Sequence, residues 1–372
     1  MVLLLGINIL LAVIIVITMV NVVFGPRLKD GPTGSYQPKV SVIIPVRNEE
    51  KNIAICLRSI RKQNYDNFEI LVLDDFSHDN TRKIVQSFAP KVKLIEGKQL
   101  PTGWTGKNWA CHQLSCVAQG EILLFTDADN FYHPHAIVRT IGWMQKLHLD
   151  LLSAFPQQTT KTFPEKLVVP VVDLFVYSFL PLWLTYLTRF PSLAAANGQW
   201  IAIKKTSYKK LGGHKSVKAQ VVEDVELARN AKRLGMRILT TAGRDIVFGR
   251  MYHSWQEVWE GFSKNLFGLV GYNTAGFFII LALLQLLFTW PYVLLLTWPL
   301  KALVLLAVAQ NFCLRFILSI CYGHPRLIST LFHPFSIVLI TAIGLNSFVK
   351  VKKGGLKWKG RPLVFSRRGG RL

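Results

Sequence analysis

Residues 121–129 read EILLFTDAD. The apolar run is too short for a helix and ends on Asp127 and Asp129, which marks a buried strand with two carboxylates at its carboxyl end. Carboxylates two positions apart on a segment leaving a strand share a hard divalent cation through oxygen, with phosphate oxygens of a ligand completing an octahedral shell. Four more stretches have the same build: KVSVIIPV (39–46), FEILVLDD (68–75), VKLIEG (92–97) and LLSAFP (151–156). Between them, segments such as NEEKNIAICLRSIRKQ (48–63) carry apolar residues at helical spacing. The alternation predicts βαβ units around a mostly parallel sheet, an α/β fold whose ligands meet the carboxyl ends of the strands.

Those ends are acidic. Pro45-Val46-Arg47-Asn48-Glu49-Glu50 follows the first strand, with Asn48 placed to cap a helix and the glutamates suited to its positive end. Asp74-Asp75-Phe76-Ser77 follows the second, and Asp127-Ala128-Asp129 the fourth. Carboxylates gathered on one crevice repel each other, so a cation or ligand donors belong there. Further on, Glu223 and Asp224 lead the amphipathic stretch VVEDVELARNAKRLGMR (221–237). Acids there serve the helix dipole, or, beside a metal-phosphate site, supply a general base. The stretch LPTGWTGKNWACHQ (100–113) holds a Gly-Lys pair but is no P-loop: Pro101 stands where the first glycine is needed, and Asn108 lacks the hydroxyl that a P-loop gives to magnesium.

The composition adds a membrane. The 372 residues are 51% hydrophobic, too apolar for a soluble chain, and the excess lies in 2–24 and in much of 275–349. The first run is long enough to span and lacks a signal-peptide n-region, so it reads as an uncleaved anchor. Arg27 and Lys29 after it, with a formal charge of +23, place the next domain in the cytosol facing anionic lipid; nucleic acid is not expected as a partner. Residues 168–190 read as a helix lying on the membrane surface or as a span, and 275–297, 300–321 and 327–349 are spanning candidates. The tail carries nine Lys or Arg from Lys350 onward and no acid, so it also belongs in the cytosol, and parity then requires one candidate to be interfacial or re-entrant, or 168–190 to cross. The five cysteines are scattered and form no disulfide framework or zinc pattern.

Five motifs in order, PVRNEE, LVLDDFSHDNT, GKNWACHQLSCVAQGEILLFTDADNFYHP, LGGH and EDVELARNAKRLG, resemble the family 2 glycosyltransferases over about 40–235. RMYHSWQEVWEGFSKN (250–265) and LKWKGRPLVF (356–365) resemble the membrane-bound bacterial members that glycosylate lipids, especially carotenoid (diaponeurosporenoate) glucosyltransferases and hopanoid-associated relatives. The resemblance implies a GT-A nucleotide-sugar-binding, Rossmann-like domain with transmembrane helices at both ends. It also implies that Pro45, Glu49, Asp74 and Asp75 line the uracil and ribose of a UDP-sugar, that Asp127 contacts ribose or sugar, and that Asp129, with Asp127, holds Mg2+ or Mn2+. By the same resemblance Asp224, after Glu223, is the base, Gly198 and Gln199 line the sugar pocket, and Lys107 starts a helix beside the donor nucleotide. Arg250 and Lys264 are candidates for the leaving phosphate. Departures are Phe76, where many members have Gly, and EGFSKN in place of Q-x-x-R-W, which argues against processive polymer synthesis.

The expected organisation is a transmembrane anchor over 1–26, a cytosolic GT-A catalytic domain over 37–266 with an interfacial amphipathic segment at 164–190, membrane helices over 275–349 and a basic cytosolic tail over 350–372. The expected activity is inverting, non-processive transfer of a hexose from a UDP-sugar to a lipid acceptor such as a carotenoid, hopanoid or glycerolipid, in the cell membrane. A polysaccharide or polyprenyl-phosphate glycosyltransferase is the enzymatic alternative, and a lipid transporter or flippase the non-enzymatic one.

Overall fold

All five expected strands form: Val40–Val46 (β1), Phe68–Asp74 (β2), Val92–Glu96 (β3), Ile122–Phe125 (β4) and, after Asn130–Tyr132 (β5), Leu151–Phe155 (β6). Gln157–Gln158 (β7), Ile201–Lys204 (β8), Ile238–Ala242 (β9) and Val247–Gly249 (β10) complete the larger set. The structure, a computed structural model, describes residues 1–34, 36–297, 301–355, 357–358 and 361–362. By internal packing the chain divides into a sheet unit, chiefly Pro26–Gln157 and Trp183–Arg250, and a helical unit of Met1–Gly25, Gln158–Leu182 and Met251–Gly355. Residues 158–182 and 251–266, expected within the 37–266 domain, thus group with the helices.

In the sheet unit the strand order is β3-β2-β1-β4-β8-β6-β9. β1 pairs in parallel with β2 and β4, β2 with β3, and β6 with β9, while β8 runs antiparallel between β4 and β6. Both faces are buried, which is why these strands read as continuous apolar runs. Val40, Val42, Ile44 and Val46 of β1 join Ile70 and Val72 of β2 in one core layer, and Ile43, Leu71 and Leu73 face the other.

The inserted antiparallel strand sets the site. Phe125 at the end of β4 pairs with Ile201 at the start of β8. The residues before β8, Asn197-Gly198-Gln199-Trp200, therefore arrive at the same edge as the residues after β4. Asp75 N–H donates to Val46 O (2.9 Å) and Thr126 N–H to Ile43 O (3.0 Å), so the β1, β2 and β4 ends lie side by side.

Among the described residues, the helical unit contains three helices long and apolar enough to cross a membrane: Val2–Phe24, Ala302–Tyr322 and His333–Lys352. Residues 168–190 form no continuous helix; Phe163–Val168, Val171–Phe179 and Leu184–Leu187 are separate pieces, interrupted near Pro170 and Pro181, which cannot donate a backbone bond. The candidate 275–297 is likewise broken, into Thr274–Phe288 and Trp290–Thr297. Trp255–Leu269 meets Thr274–Phe288 at 118°, and Gly271 (φ 64°) and Tyr272 (φ 63°) make the turn in successive left-handed conformations. Asn273 caps the second helix by accepting from Gly276 N–H (2.9 Å).

Asp173, His324 and Arg315, buried ionisable groups inside this unit, are tied to a side chain or to backbone. Asp173 Oδ2 lies 2.6 Å from His324 Nε2, both buried. Arg315 donates from Nε to Ser329 O (3.1 Å) and from Nη1 to Pro170 O (3.3 Å). In the tail, Lys357–Trp358 (β11) pairs antiparallel with Arg361–Pro362 (β12); 356, 359–360 and 363–372 of the expected 350–372 tail lie outside the described residues.

Candidate functional site

Two helix starts bring the charged groups together. Thr105 Oγ1 caps the helix Gly106–Val117 by accepting from Asn108 N–H (3.3 Å), which puts Lys107 in its first turn. Asn108 Nδ2 donates to Val217 O (2.8 Å) and Gln220 O (2.9 Å). That clamps the helix to the segment running into Glu223–Arg233, whose first turn carries Glu223 and Asp224. Lys107 Nζ then reaches Asp127 Oδ1 at 2.9 Å and Glu223 Oε1 at 3.1 Å. Pro45, Lys107, Asp127, Gly198, Glu223 and Asp224 line one narrow cleft.

Asp224 is fixed through both oxygens: Gly198 N–H donates to Oδ2 (2.7 Å) and Val225 N–H to Oδ1 (2.8 Å). Burial first, and then the Glu223 charge, raise its pKa from the ordinary 3.8 to about 6, against the pull of Lys107. Such a carboxylate is ionised at neutral pH yet retains appreciable basicity. Desolvation works against the Lys107 ammonium, but Asp127 and Glu223 outweigh it and hold its pKa well above the ordinary value.

Gly198 lets the Lys107 ammonium approach the backbone closely. A Cβ there would lie 2.9 Å from Lys107 Nζ and 3.4 Å from Asp224 Oδ2. Gln199 turns to the other acid, donating from Nε2 to Asp129 Oδ1 (3.4 Å) and Asn130 Oδ1 (2.8 Å). Arg250 N–H donates to Asp129 O (3.3 Å) from the end of β10, which pairs with β5. Lys264 lies on Trp255–Leu269 in the helical unit.

The β1 and β2 ends form a second cluster. Asp74 Oδ1 accepts from Ser77 N–H (3.2 Å), and Arg47 Nη1 donates to Asp75 O (2.6 Å) and Phe76 O (3.1 Å). Glu49 N–H donates to Thr81 Oγ1 (2.7 Å), and Glu49 Oε2 accepts from Asn52 Nδ2 (3.0 Å). Asn48 is not a helix cap, contrary to expectation. The helix begins at Ile53, and Asn48, at φ 53°, accepts from His78 N–H through Oδ1 (2.9 Å). A short polar side chain that bonds locally in the left-handed region serves the turn instead. Phe76 also sits there, at φ 57°.

Sequence alone gives no site role to Cys111, Thr126 or His214, which line the same cleft. Burial pushes His214 down to about 3, and its Nδ1 lies 2.7 Å from the Tyr208 hydroxyl, so it stands there as a neutral wall. Thr126, with its hydroxyl bonded to Tyr132 and to Gln199 O, was signalled only by its place just before Asp127.

Among the described residues no three His, Cys, Asp or Glu side chains converge on a metal position. Asp127 is engaged by Lys107 through both oxygens, which leaves Asp129 as the carboxylate of the pair turned elsewhere. A hard cation with one or two protein carboxylates and a remainder of phosphate and water oxygens fits this donor set; a cage made by protein alone does not.

Residues 41–204 match the model of Glycosyl transferase family 2. Two relatives are the 4,4'-diaponeurosporenoate glycosyltransferases of Staphylococcus haemolyticus, 27% identical over 63% of this chain and 62% of that protein, and of Staphylococcus aureus, 30% identical over 61% and 60%. The chain thus spans less than two thirds of the length of these relatives. Among solved structures, a mannosyltransferase from Pyrobaculum calidifontis in complex with GDP-Man and Mn2+ superposes with a TM-score of 0.54, at 20% identity, over 93% of this chain and 98% of that one. Motif order and family model agree that residues 41–204 match a glycosyl transferase family 2 domain, and the mixed sheet has a GT-A-like α/β fold.

Proposed function

We propose that the chain is a membrane-bound inverting glycosyltransferase that moves a hexose from a UDP-sugar to a lipid acceptor, such as a carotenoid, hopanoid or glycerolipid, in one non-processive displacement. The observation that carries this reading is the Asp224 carboxylate, held by two backbone N–H groups and raised to about 6, beside Lys107, Asp127 and Gly198 at the sheet's carboxyl edge. Asp224 takes the proton from the acceptor's hydroxyl or carboxyl group. The acceptor oxygen then bonds to the anomeric carbon from the face opposite the diphosphate, the carbon–oxygen bond to the diphosphate breaks, and the nucleoside diphosphate leaves. No protein acid is needed for so good a leaving group, unlike glycoside hydrolysis by paired carboxylates.

Asp74 and Asp75, with Glu49 and Pro45, are assigned to the nucleoside, Asp127 to ribose or sugar, and Gly198, Gln199 and Glu223 to the sugar pocket. Lys107, at a helix N-terminus, is assigned to the diphosphate. A divalent Mg2+ or Mn2+ on Asp129, with Asp127, would neutralise the charge developing on the departing diphosphate. Arg250 is assigned to that phosphate beside Asp129, and Lys264 remains a candidate on sequence grounds alone.

For the membrane, three crossings by Val2–Phe24, Ala302–Tyr322 and His333–Lys352, with the 118° pair re-entrant, satisfy parity. Catalytic segments and basic tail then share one side, the cytosolic one by the positive-inside rule. The domain reading becomes an anchor, a cytosolic catalytic sheet unit and a membrane unit that includes 158–182.

The decisive test supplies purified protein with a panel of UDP- and GDP-sugars and a lipid extract, and identifies the product by mass and anomeric configuration. Transfer to lipid with inversion is expected. A retained anomeric configuration, or donor turnover without any lipid product, would overturn the reading.

A further inference from the structure

In the helical unit, Trp255–Leu269 is bonded to His333–Lys352: Asn346 Nδ2 donates to Ser263 Oγ (2.7 Å), and Phe267 N–H donates to Ser347 Oγ (3.1 Å). Towards the start of the first helix the two leave a groove of about 350 Å³, lined by Trp255, Gln256, Trp259, Glu260 and Lys350. That is enough room for a small polar group. The tryptophans stand one turn apart with ring centroids 5.6 Å from each other and planes at 52°, two walls that are not stacked flat. Trp255 is 42% exposed. Gln256 Nε2 donates to Glu260 Oε1 (3.1 Å), which holds the carboxylate in place. Lys350 forms no ion pair with any carboxylate among the described residues.

Each part selects a charge. Aromatic faces with a carboxylate beside them attract an ammonium group. A lysine without a carboxylate partner attracts a phosphate. A purely anionic ligand meets Glu260, and a simple cation meets Lys350, so the complementary ligand carries both signs. Lys350 also lies in the last turns of a helix long enough to span, the level at which Lys and Trp meet lipid head groups. We propose that this groove binds the head group of a zwitterionic phospholipid, with its ammonium between Trp255 and Trp259 beside Glu260 and its phosphate on Lys350. The proposal rests on the membrane reading above but not on the transferase reaction.

The test titrates full-length protein in detergent with dioctanoyl phosphatidylcholine and, separately, dioctanoyl phosphatidylglycerol, and counts bound lipid by native mass spectrometry. The expected result is phosphatidylcholine bound about tenfold more tightly, a preference that Trp255→Ala with Trp259→Ala abolishes. Glu260→Gln should weaken phosphatidylcholine alone, and Lys350→Gln should weaken both lipids. Equal binding of the two lipids by the unaltered protein overturns the proposal, as does a Glu260→Gln variant of unchanged melting temperature that keeps the preference. Because Glu260 is exposed, its replacement leaves the fold intact and tests the site even where the double tryptophan variant fails to fold. Carbonate extraction of membranes reads the membrane assignment separately: a chain released by carbonate that still prefers phosphatidylcholine keeps the site and removes the assignment.

Discussion

Replacing Asp224 with Asn should stop transfer and make the protein more stable, and the stability gain should depend on pH. Burial and then Glu223 lift this carboxyl from 3.8 to about 6, so keeping it ionised in the folded chain at pH 7.5 costs at most about 3 kcal/mol. Because the folded pKa lies above the unfolded one, protonation favours the folded state. That contribution is whole below about 3.8 and is lost as pH rises through about 6. Asn is neutral at every pH and of the same shape, but one of the two N–H donors, Gly198 or Val225, must then face its NH2 group, a loss of about 1 kcal/mol. The Asp224 carboxylate is also partly reached by solvent, which discounts the first figure. A net gain of about 1–2 kcal/mol at pH 7.5, vanishing or reversing at pH 4, is therefore expected from denaturant melts of wild type and variant at both pH values. Transfer assayed on the same samples should fall by about 10²–10⁴ with donor binding retained. A variant no more stable at pH 7.5 than at pH 4, relative to wild type, would refute the electrostatic account, and an active one would remove Asp224 from the chemistry.

Wild-type transfer should lose activity on an acidic limb near pH 6, as Asp224 takes its proton; a rate flat from pH 7.5 to 5 would exclude it as the base. Gly198→Ala places a methyl 2.9 Å from Lys107 Nζ and should cut kcat by at least about tenfold by displacing Lys107 or Asp224, about 1.4 kcal/mol of barrier; unchanged kcat would show that the cleft yields freely. Asp129→Ala should weaken donor binding in Mn2+ or Mg2+ buffer but change nothing in EDTA, as read by nucleotide-sugar titration, and donor binding indifferent to EDTA in the wild type would dismiss the metal. Asp173→Ala strips the buried His324 of its partner and should destabilise by about 3 kcal/mol, seen as a lower melting temperature; an unchanged one would mean the pair contributes nothing.

Strands buried on both faces announce themselves as unbroken apolar runs, so β1, β2 and β4 and the acids after them were readable residue by residue. β8 was not. Its four residues, IAIK, have no flanking pattern to separate them from a loop, and an antiparallel strand inside a parallel series has no local signature. Gly198 and Gln199 were accordingly reached through resemblance, and their meeting with Asp224 and Asp129 follows only from the strand's direction. Hydropathy also could not tell a span from a broken helix over 168–190 and 275–297. Composition is the same in both, and the difference lies at Pro170, Pro181 and the break before Pro291, where a missing N–H ends one helix and starts another. Asn48 does not cap the helix because the loop after β2 engages it instead: Ser77 Oγ accepts from its backbone N–H and His78 N–H donates to its Oδ1.

The ion cluster around Lys107 has a consequence for the order of events. Asp127, Glu223 and Asp224 carry three formal negative charges against one ammonium, so the cleft's own side chains have a formal surplus of two negative charges. A naked diphosphate approaching that surplus is repelled at close range. A donor that arrives already complexed to a divalent cation loses most of that penalty. Saturation curves should therefore follow the concentration of the cation–nucleotide complex, and excess metal-free nucleotide should compete poorly for entry.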